Sequence, residues 1–179
     1  MSSAVRRRGF VIGIGSNIAP ERNVPRILRA LLAEFGALYM SRILRTRPVG
    51  MASQAEFLNL AVFVETGLDA AALKAVCNRI ETGLGRDRDD PDSARKDRPA
   101  DLDILFPVVP GQAFRPTVEG EYQRPVVADL LAFLGLGPAP DGLPGGEAVD
   151  LGGVSAGEVA AAVDRQGGTG DVVVVEQGA

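Results

Sequence analysis

The sequence has no histidine, no tryptophan and a single cysteine, Cys77, among its 179 residues. One cysteine excludes an internal disulfide framework. Without histidine, the Ser-His-Asp and Cys-His catalytic arrangements and the usual zinc sites are excluded as well. Any catalysis by this chain must therefore use acids, arginines or a metal ion held by oxygen. Cys77 itself is most simply interpreted as a core residue.

The chain also lacks a large excess of charge of one sign, since its formal net charge is −4. A general nucleic-acid binder needs a clustered basic surface, so no nucleic-acid partner is expected, although a local anion site stays open. No segment approaches the roughly 18 apolar residues of a membrane span, and the first ten residues lack the apolar core of a signal peptide. We therefore expect a cytoplasmic protein with no membrane partner. Lysine is almost absent, and the arginines that replace it suit phosphate binding, although genome composition can produce the same bias.

Apolar residues recur along the chain with the periods of short strands and amphipathic helices. The pattern predicts strands over 10–14, 38–46, 57–66 and 101–106, and helices over 23–35 and from Asp69 to Gly83 or Gly85. This order predicts an α+β fold, a ferredoxin-like βαββαβ antiparallel sheet with helices on both faces in three α-β-α layers. We place a catalytic domain at residues 1–134 and an appendage at 135–179.

The last part of the chain is harder to interpret. A short helix is predicted over 127–134, and a Gly/Pro-rich connector follows over 135–146. Beyond it, Ser155 and Glu158 form a capping-box pattern, which predicts a weak helix ending at Arg165. The segment "DVVVVEQ" is a candidate strand. The sequence assigns no role to residues 135–179.

Two strands carry informative alternation. In the strand over 57–66, one face holds Phe57, Asn59, Ala61 and Phe63, and the other holds Leu58, Leu60, Val62 and Val64. Both faces are fairly apolar, so we expect both to be covered. In "RPADLDILF", residues 98–106, strict alternation places Asp101, Asp103 and Leu105 on one face and Leu102, Ile104 and Phe106 on the other.

The two aspartates of this last strand call for an explanation. Neighbouring carboxylates raise each other's pKa and cost stability unless a cation lies between them. Spacing alone leaves open a second interpretation, a strand end whose acids simply face water.

Residues 86–98 lead into these aspartates and contain five basic and five acidic residues without a large apolar side chain. The pattern predicts an exposed loop, either a mobile lid that meets charge of both signs or a merely solvated segment. The loop, the two carboxylates and a Gly-Ser-Asn turn at 15–17 are the parts needed to hold magnesium and a polyphosphate. The Gly-Lys-Ser/Thr phosphate loop and the dinucleotide fingerprint are both absent.

Four motifs in order make the sequence similar to a known family. "GSN" after the first strand, "RTRPVG" with "FLNLAV", "RIETGLGRDR" and "RPADLDILF" resemble 6-hydroxymethyl-7,8-dihydropterin pyrophosphokinase (2-amino-4-hydroxy-6-hydroxymethyldihydropteridine diphosphokinase) over about residues 10–134. The resemblance implies a folate-biosynthesis enzyme that transfers a diphosphoryl group from ATP to the hydroxymethyl group of the pterin and releases AMP. It implies two Mg²⁺ ions and ATP as co-substrate. We expect a monomer that acts on small-molecule substrates.

The resemblance also implies roles for individual residues. The catalytic set is Arg86, Arg98, Asp101 and Asp103, with both aspartates as metal ligands. The nucleotide contacts are Asn78, Glu81, Arg88, Arg98, Ile104 and Arg124. The pterin pocket is Thr46, Val49, Gly50, Phe57 and Asn59. A flat heterocycle needs a ring face and in-plane hydrogen bonds, which Phe57 and Asn59 can supply; the alternative for Phe57 is an ordinary core phenylalanine.

Three departures from the family pattern bear on the acceptor. Lys96 and Asp97 stand where the family usually has Gly-Pro, the family's Pro-His has no counterpart, and Val126 replaces the second aromatic that stacks on the pterin. These departures leave the metal and phosphate residues in place. Two alternatives follow, a paralogue acting on a modified pterin of a methanopterin-type pathway, or a non-catalytic nucleotide- or pterin-binding protein.

Overall fold

The computed structural model describes residues 5–48, 54–93, 95–112 and 116–138, and the backbone of 147–149, 157–163 and 169–175. The strands are β1 (Gly9–Ser16), β2 (Ala37–Met40), β3 (Ile43–Thr46), β4 (Phe57–Glu65), β5 (Asp101–Val108), β6 (Glu147–Val149), β7 (Gly157–Val163) and β8 (Thr169–Val175). The helices are α1 (Pro20–Phe35), α2 (Ala70–Gly83) and α3 (Arg124–Phe133). The order β5-β1-β4-β2, with β3 also on β4 and antiparallel pairs throughout, confirms the predicted ferredoxin-like sheet.

The helices begin and end where local chemistry favours it. Helix α1 has Pro20 in its first turn, where a missing N–H costs no hydrogen bond, and it stops at Gly36, whose φ of 81° suits glycine. Helix α2 begins as predicted at Asp69, whose carboxylate accepts a hydrogen bond from the Ala72 N–H at 2.8 Å. These caps fix both helices against the sheet.

The sheet is covered on both faces, by different helices. Helices α1 and α2 lie on one side, the paired-helix face, where their apolar side chains pack against a large cluster that includes Ile12, Ile14, Leu58, Leu60, Val62, Val64 and Leu102. Helix α3 lies on the other side, the α3 face, against Val11, Leu44, Ala61, Phe63 and Val108. The predicted alternation of β4 and the predicted three-layer arrangement are both confirmed.

The strand predicted over 38–46 is instead two strands. Met40 pairs with Val62 and Leu44 pairs with Asn59, so three residues on one side oppose two on the other. The extra residue forms a bulge, held by Ser41, whose Oγ accepts a hydrogen bond from the Ala61 N–H at 2.9 Å. Asp129 of α3 then accepts the Arg42 N–H at 2.7 Å, which ties the bulge to the α3 face.

A second irregularity corrects the alternation predicted for β5. Val11 pairs with Phe106 and Ile12 with Ile104, which leaves Leu105 as an extra residue. Leu102 and Ile104 pack on the paired-helix face as expected, but Leu105 and Phe106 both pack on the α3 face. The prediction that Phe106 shares a face with Leu102 is wrong because a bulge inserts one residue and reverses the alternation beyond it.

The weak helix predicted from Ser155 to Arg165 is also wrong, because residues 157–163 form β7. This strand pairs with β2 on one side and β8 on the other. An available sheet edge can override a weak local helix signal, since strand preference depends strongly on the neighbours that the sheet supplies. The strand predicted in "DVVVVEQ" is confirmed as part of β8.

The connector over 139–146 lies outside the described residues. Within the described part of the chain, the helices are all too short or too polar to cross a lipid bilayer.

Candidate active site

On the α3 face, two glycines of β1 lie beside the two aspartates of β5. Gly13 pairs with Asp103 and Gly15 with Asp101, which places both carboxylates beside a strip of backbone. A Cβ on Gly15 would lie 3.0 Å from Asn59 Oδ1, and a Cβ on Gly13 would lie 2.9 Å from Gln123 Nε2. Glycine at these two positions therefore lets polar side chains from both neighbouring elements close over β1.

Asp101 is neutralised by two arginines. Arg86 Nη1 donates to Asp101 Oδ1 at 2.7 Å, and Arg98 Nη1 donates to Asp101 Oδ2 at 2.8 Å. All three side chains are largely shielded from water, with exposed fractions of 16% for Asp101, 11% for Arg86 and 13% for Arg98. The sequence indicated that the paired aspartates need a nearby cation. At Asp101, two guanidinium groups of the chain itself supply that positive charge.

Asp103 lies in a different electrostatic environment. Burial raises the pKa of its carboxyl above the usual value, and the negative charge of Asp101 raises it further. Lys74 and a hydrogen bond from Gln123 Nε2 at 3.2 Å act in the opposite direction without cancelling the shift. The charge of Asp103 is thus less compensated than that of Asp101.

Glu81 is a buried carboxylate that holds Arg86 and Arg88. Its side chain is 1% exposed, and it accepts hydrogen bonds from Arg86 Nη1 at 3.1 Å, from the Leu102 N–H at 2.8 Å and from Arg88 Nη1. Leu102 lies between the two aspartates, so one buried carboxylate fixes both the start of β5 and two arginines of the loop. The predicted contact between Glu81 and ATP stays a prediction.

The end of the 86–98 loop is anchored to the Gly-Ser-Asn turn. Asn17 accepts the Arg98 N–H at 2.7 Å through its side-chain oxygen and donates from Nδ2 to Asp97 Oδ1 at 2.8 Å. Its backbone N–H donates to the Arg98 carbonyl at 3.0 Å. Asn17 thus fixes the backbone position of Arg98. The "GSN" motif includes Asn17, but the sequence did not predict this contact.

Residues predicted for the pterin pocket lie beside the arginine–aspartate cluster. Phe57 and Asn59 project on the α3 face of β4, and Asn59 donates to Thr46 Oγ1 from the paired strand β3. The Arg98 guanidinium lies over the Phe57 ring, with Cζ 5.9 Å from the ring centroid. Thr46, Phe57 and Asn59 are therefore brought together, and Val49 and Gly50 lie outside the described residues.

The other predicted nucleotide contacts are more dispersed. Ile104 turns its side chain to the core of the paired-helix face. Asn78 is half-buried on α2, and its Oδ1 is buried without a hydrogen-bond partner among the described residues. Arg124, at the start of α3, donates from Nε to the Val118 carbonyl at 2.9 Å. The roles of these three residues in nucleotide binding stay predictions.

Val126 and the nearby Tyr122 differ in exposure. Val126 is fully buried in the α3 cluster, so it does not line the open face. Tyr122 is 40% exposed, and the carboxylates of Asp103 and Asp101 add to the burial that raises the pKa of its phenol. The phenol of Tyr122 thus interacts electrostatically with both aspartates.

Fold and site together define the class of protein: an α+β chain of ferredoxin-like topology that carries an arginine–aspartate cluster beside an aromatic ring on an open sheet face. A model of the family described as 7,8-dihydro-6-hydroxymethylpterin-pyrophosphokinase (HPPK) matches residues 11–118. This match covers more than half of the chain. The chain belongs to the HPPK family, as the motifs predicted.

Two curated relatives are named as pyrophosphokinases and a third as a bifunctional folate synthesis protein. The chain is 39% identical over 98 residues to 2-amino-4-hydroxy-6-hydroxymethyldihydropteridine pyrophosphokinase of Bacillus subtilis (strain 168), covering 53% of this chain and 57% of that protein. It is 30% identical over 110 residues to the protein of the same name from Porphyromonas gingivalis, covering 60% of this chain and 75% of that protein. It is 32% identical over 132 residues to the folate synthesis bifunctional protein of Arabidopsis thaliana, covering 70% of this chain and 27% of that protein.

Proposed function

We propose that this chain transfers a diphosphoryl group from ATP to the hydroxymethyl group of 6-hydroxymethyl-7,8-dihydropterin, releasing AMP, in folate biosynthesis. The observation that carries the proposal is the placement of Asp101, Asp103, Arg86 and Arg98 beside Phe57 and Asn59 on one open face. Membership of the HPPK family supports the reaction class. Groups that suit a polyphosphate and a flat heterocycle thus lie side by side on one face of the sheet.

Magnesium is part of the proposal, and the donor set fits it. Mg²⁺ is held by few protein carboxylates and takes its other ligands from water and phosphate oxygens. The described residues contain no cluster of three or more acidic, histidine or cysteine side chains, so a site built from protein ligands alone does not arise there. Asp101 and Asp103 would hold the two ions, and the raised pKa of Asp103 shows a carboxylate that gains from a nearby cation. When bound, Mg²⁺ would neutralise the triphosphate and align it for transfer.

The arginines would bind and orient the phosphates. Arg86 and Arg98 each donate to Asp101 through Nη1, and the planar geometry of a guanidinium group suits phosphate oxygens. Arg88 Nη1 donates to Glu81, and the side chain is 35% exposed, so the guanidinium group can still meet an incoming anion. Phosphoryl transfer needs positioning and charge neutralisation above all, and the absence of histidine does not impair either.

The pterin would stack on Phe57 and meet the amide of Asn59 in its plane. The bond from Asn59 Nδ2 to Thr46 fixes the amide, so that its edge is oriented before a ligand arrives. In the reaction, the acceptor hydroxyl oxygen bonds to the β-phosphorus and the bond from that phosphorus to the bridging oxygen of AMP breaks. The hydroxyl proton leaves to solvent.

Turnover with ATP, Mg²⁺ and 6-hydroxymethyl-7,8-dihydropterin tests the proposal directly, with AMP and the pterin diphosphate separated by chromatography. We expect AMP to appear in a one-to-one ratio with the pterin diphosphate and not to appear without the pterin. AMP release with a methanopterin-type pterin alone would favour the modified-pterin paralogue. Calorimetric binding of both ligands without turnover would overturn the enzymatic proposal in favour of a binding protein.

A further inference from the structure

Gln123 carries a buried amide that reaches Asp103 from the start of α3. The residue is 8% exposed, and its Nε2 donates to Asp103 Oδ2 at 3.2 Å. Its backbone is fixed on both sides, because the Gln123 N–H donates to the Gly120 carbonyl and the Val127 N–H donates to the Gln123 carbonyl, each at 3.0 Å. Because the backbone of Gln123 is fixed, its side-chain amide can hold the Asp103 carboxylate in one position.

Two glycines leave room for this amide. A Cβ on Gly13 would lie 2.9 Å from Gln123 Nε2 and 3.4 Å from its Cδ, and a Cβ on Gly120 would lie 2.9 Å from Oε1. Such distances are shorter than normal contacts, so an alanine at either position would push the amide away. The amide thus fits between two chain segments that are far apart in sequence, and it points its nitrogen at Asp103.

The partners of the two aspartates differ in charge. Asp101 is bound by two guanidinium groups, whereas Asp103 receives a hydrogen bond from a neutral amide. An amide can orient a carboxylate without neutralising it, and a lysine or arginine in its place would compete with a bound cation. The arrangement orients Asp103 through a neutral hydrogen-bond donor.

We propose that Gln123 is a positioning residue that holds Asp103 for a divalent cation, in a space kept open by Gly13 and Gly120. Gln123 fixes one carboxylate oxygen, Oδ2, and leaves Oδ1 as the ligand. This inference rests on the proposed function, which places the cation at the two aspartates. Partners of metal ligands of this kind are worth about 10- to 100-fold in metal affinity.

The test measures Mn²⁺ binding in the presence of a non-hydrolysable ATP analogue, by electron paramagnetic resonance of free Mn²⁺. Gln123→Leu keeps the size of the side chain and removes the donor, and we expect its Mn²⁺ dissociation constant to rise about 10- to 100-fold. Gly13→Ala displaces the same amide from the opposite side and should raise the constant in the same direction. In turnover, we expect the Mg²⁺ concentration for half-maximal rate to rise while the rate at saturating Mg²⁺ stays within about threefold of wild type.

Matched controls separate this role from general damage. Gln112→Leu changes an exposed glutamine in the turn after β5, and Gly67→Ala adds a Cβ that meets nothing within 4 Å, so both should bind Mn²⁺ like wild type. If Gln123→Leu fails to fold, Gly13→Ala alone decides the inference.

The possible failures are distinguishable. Wild-type protein that binds no Mn²⁺ with the analogue would overturn both the metal site and this inference. Wild-type binding together with unchanged affinity in Gln123→Leu and Gly13→Ala would overturn the inference and leave the proposed function standing. An equal loss in Gln112→Leu would also overturn it, because the effect would not be specific to the Asp103 contact.

Discussion

The paired-helix face and the α3 face are built on the same strands, yet they differ in what covers them. On the paired-helix face, two helices bury a continuous aliphatic layer from Ile12 and Ile14 to Leu102. On the α3 face, a single helix of ten residues packs against the strands. The remainder of that face holds glycine, asparagine, aspartate and arginine. One face thus supplies most of the hydrophobic stabilisation, which frees the other to hold charges that cost stability.

The largest expected effect is a loss of turnover on the α3 face, in contrast to a loss of stability on the paired-helix face. Asp103→Asn should lower turnover about a thousandfold or more, since several kcal/mol of charge stabilisation would be lost and each 1.4 kcal/mol corresponds to about tenfold in rate. Steady-state assays at saturating Mg²⁺ measure this, and circular dichroism checks the fold. Leu60→Ala on the paired-helix face is the opposite control, expected to cost about 2–5 kcal/mol of stability while folded molecules keep their activity. Near-normal turnover by Asp103→Asn would contradict the metal assignment.

The two aspartates of the α3 face should differ in their effect on the free energy of unfolding. Spacing alone treats Asp101 and Asp103 alike, as two crowded acids whose removal should relieve repulsion. The structure separates them, because Asp101 is bound to two largely shielded arginines. Asp101→Asn should therefore lower the free energy of unfolding by about 2 kcal/mol in metal-free buffer.

Asp103→Asn should behave differently in the same measurement. The pKa of Asp103 is raised by burial, so its ionised form is a penalty to the folded state at neutral pH, and this penalty disappears as the pH falls below the unfolded-state value of 3.8. We expect Asp103→Asn to leave stability unchanged or to raise it by less than about 1 kcal/mol at pH 7. Urea unfolding with EDTA present measures both variants, and equal destabilisation by the two would contradict the difference in their partners.

The third prediction concerns Val126. Because its side chain projects from α3 and is fully buried against the sheet, Val126→Phe should overpack the core and cost about 1–3 kcal/mol, without adding a stacking surface for the pterin. Tyr122→Leu removes the exposed aromatic near the aspartates and should weaken pterin binding about three- to twelvefold if its ring contacts the ligand. Thermal unfolding and calorimetric titration of both variants measure this. Tighter pterin binding by Val126→Phe would show that position 126 borders the pocket after all.

The smallest effect tests how well the paired-helix face excludes water. Burial raises the pKa of the Cys77 thiol to about 11, so about one thiol in a thousand is ionised at pH 8. A thiol reagent at pH 8 should therefore label native protein very slowly and label urea-unfolded protein at once. Raising the pH toward 11 should speed labelling of folded protein, since the thiolate is the reactive form. Rapid labelling at pH 8 would show that this face opens locally.

Sequence was sufficient for the features that depend on short-range periodicity. The apolar positions of α1, the Asp69 cap of α2 and the two faces of β4 could all be predicted, and the motifs identified the family. The split at Ser41 and the reversal at Leu105 could not, because a bulge is determined by the register of the neighbouring strand. The contact between Gln123 and Asp103 joins residues 20 positions apart, and no sequence pattern predicts it. Nor could spacing show that arginines of the loop would themselves neutralise Asp101.

Helix α2 also protects the strand that carries the aspartates. Strand β5 is the terminal strand of the sheet, and such an edge offers free N–H and C=O groups to any passing chain. At Leu102 both groups are already occupied, the N–H by Glu81 at 2.8 Å and the carbonyl by Lys74 Nζ at 3.5 Å. A second molecule that tried to extend the sheet there would first have to displace two side chains of α2. The same contacts that hold the aspartates in place thus work against edge-to-edge aggregation at this end of the sheet.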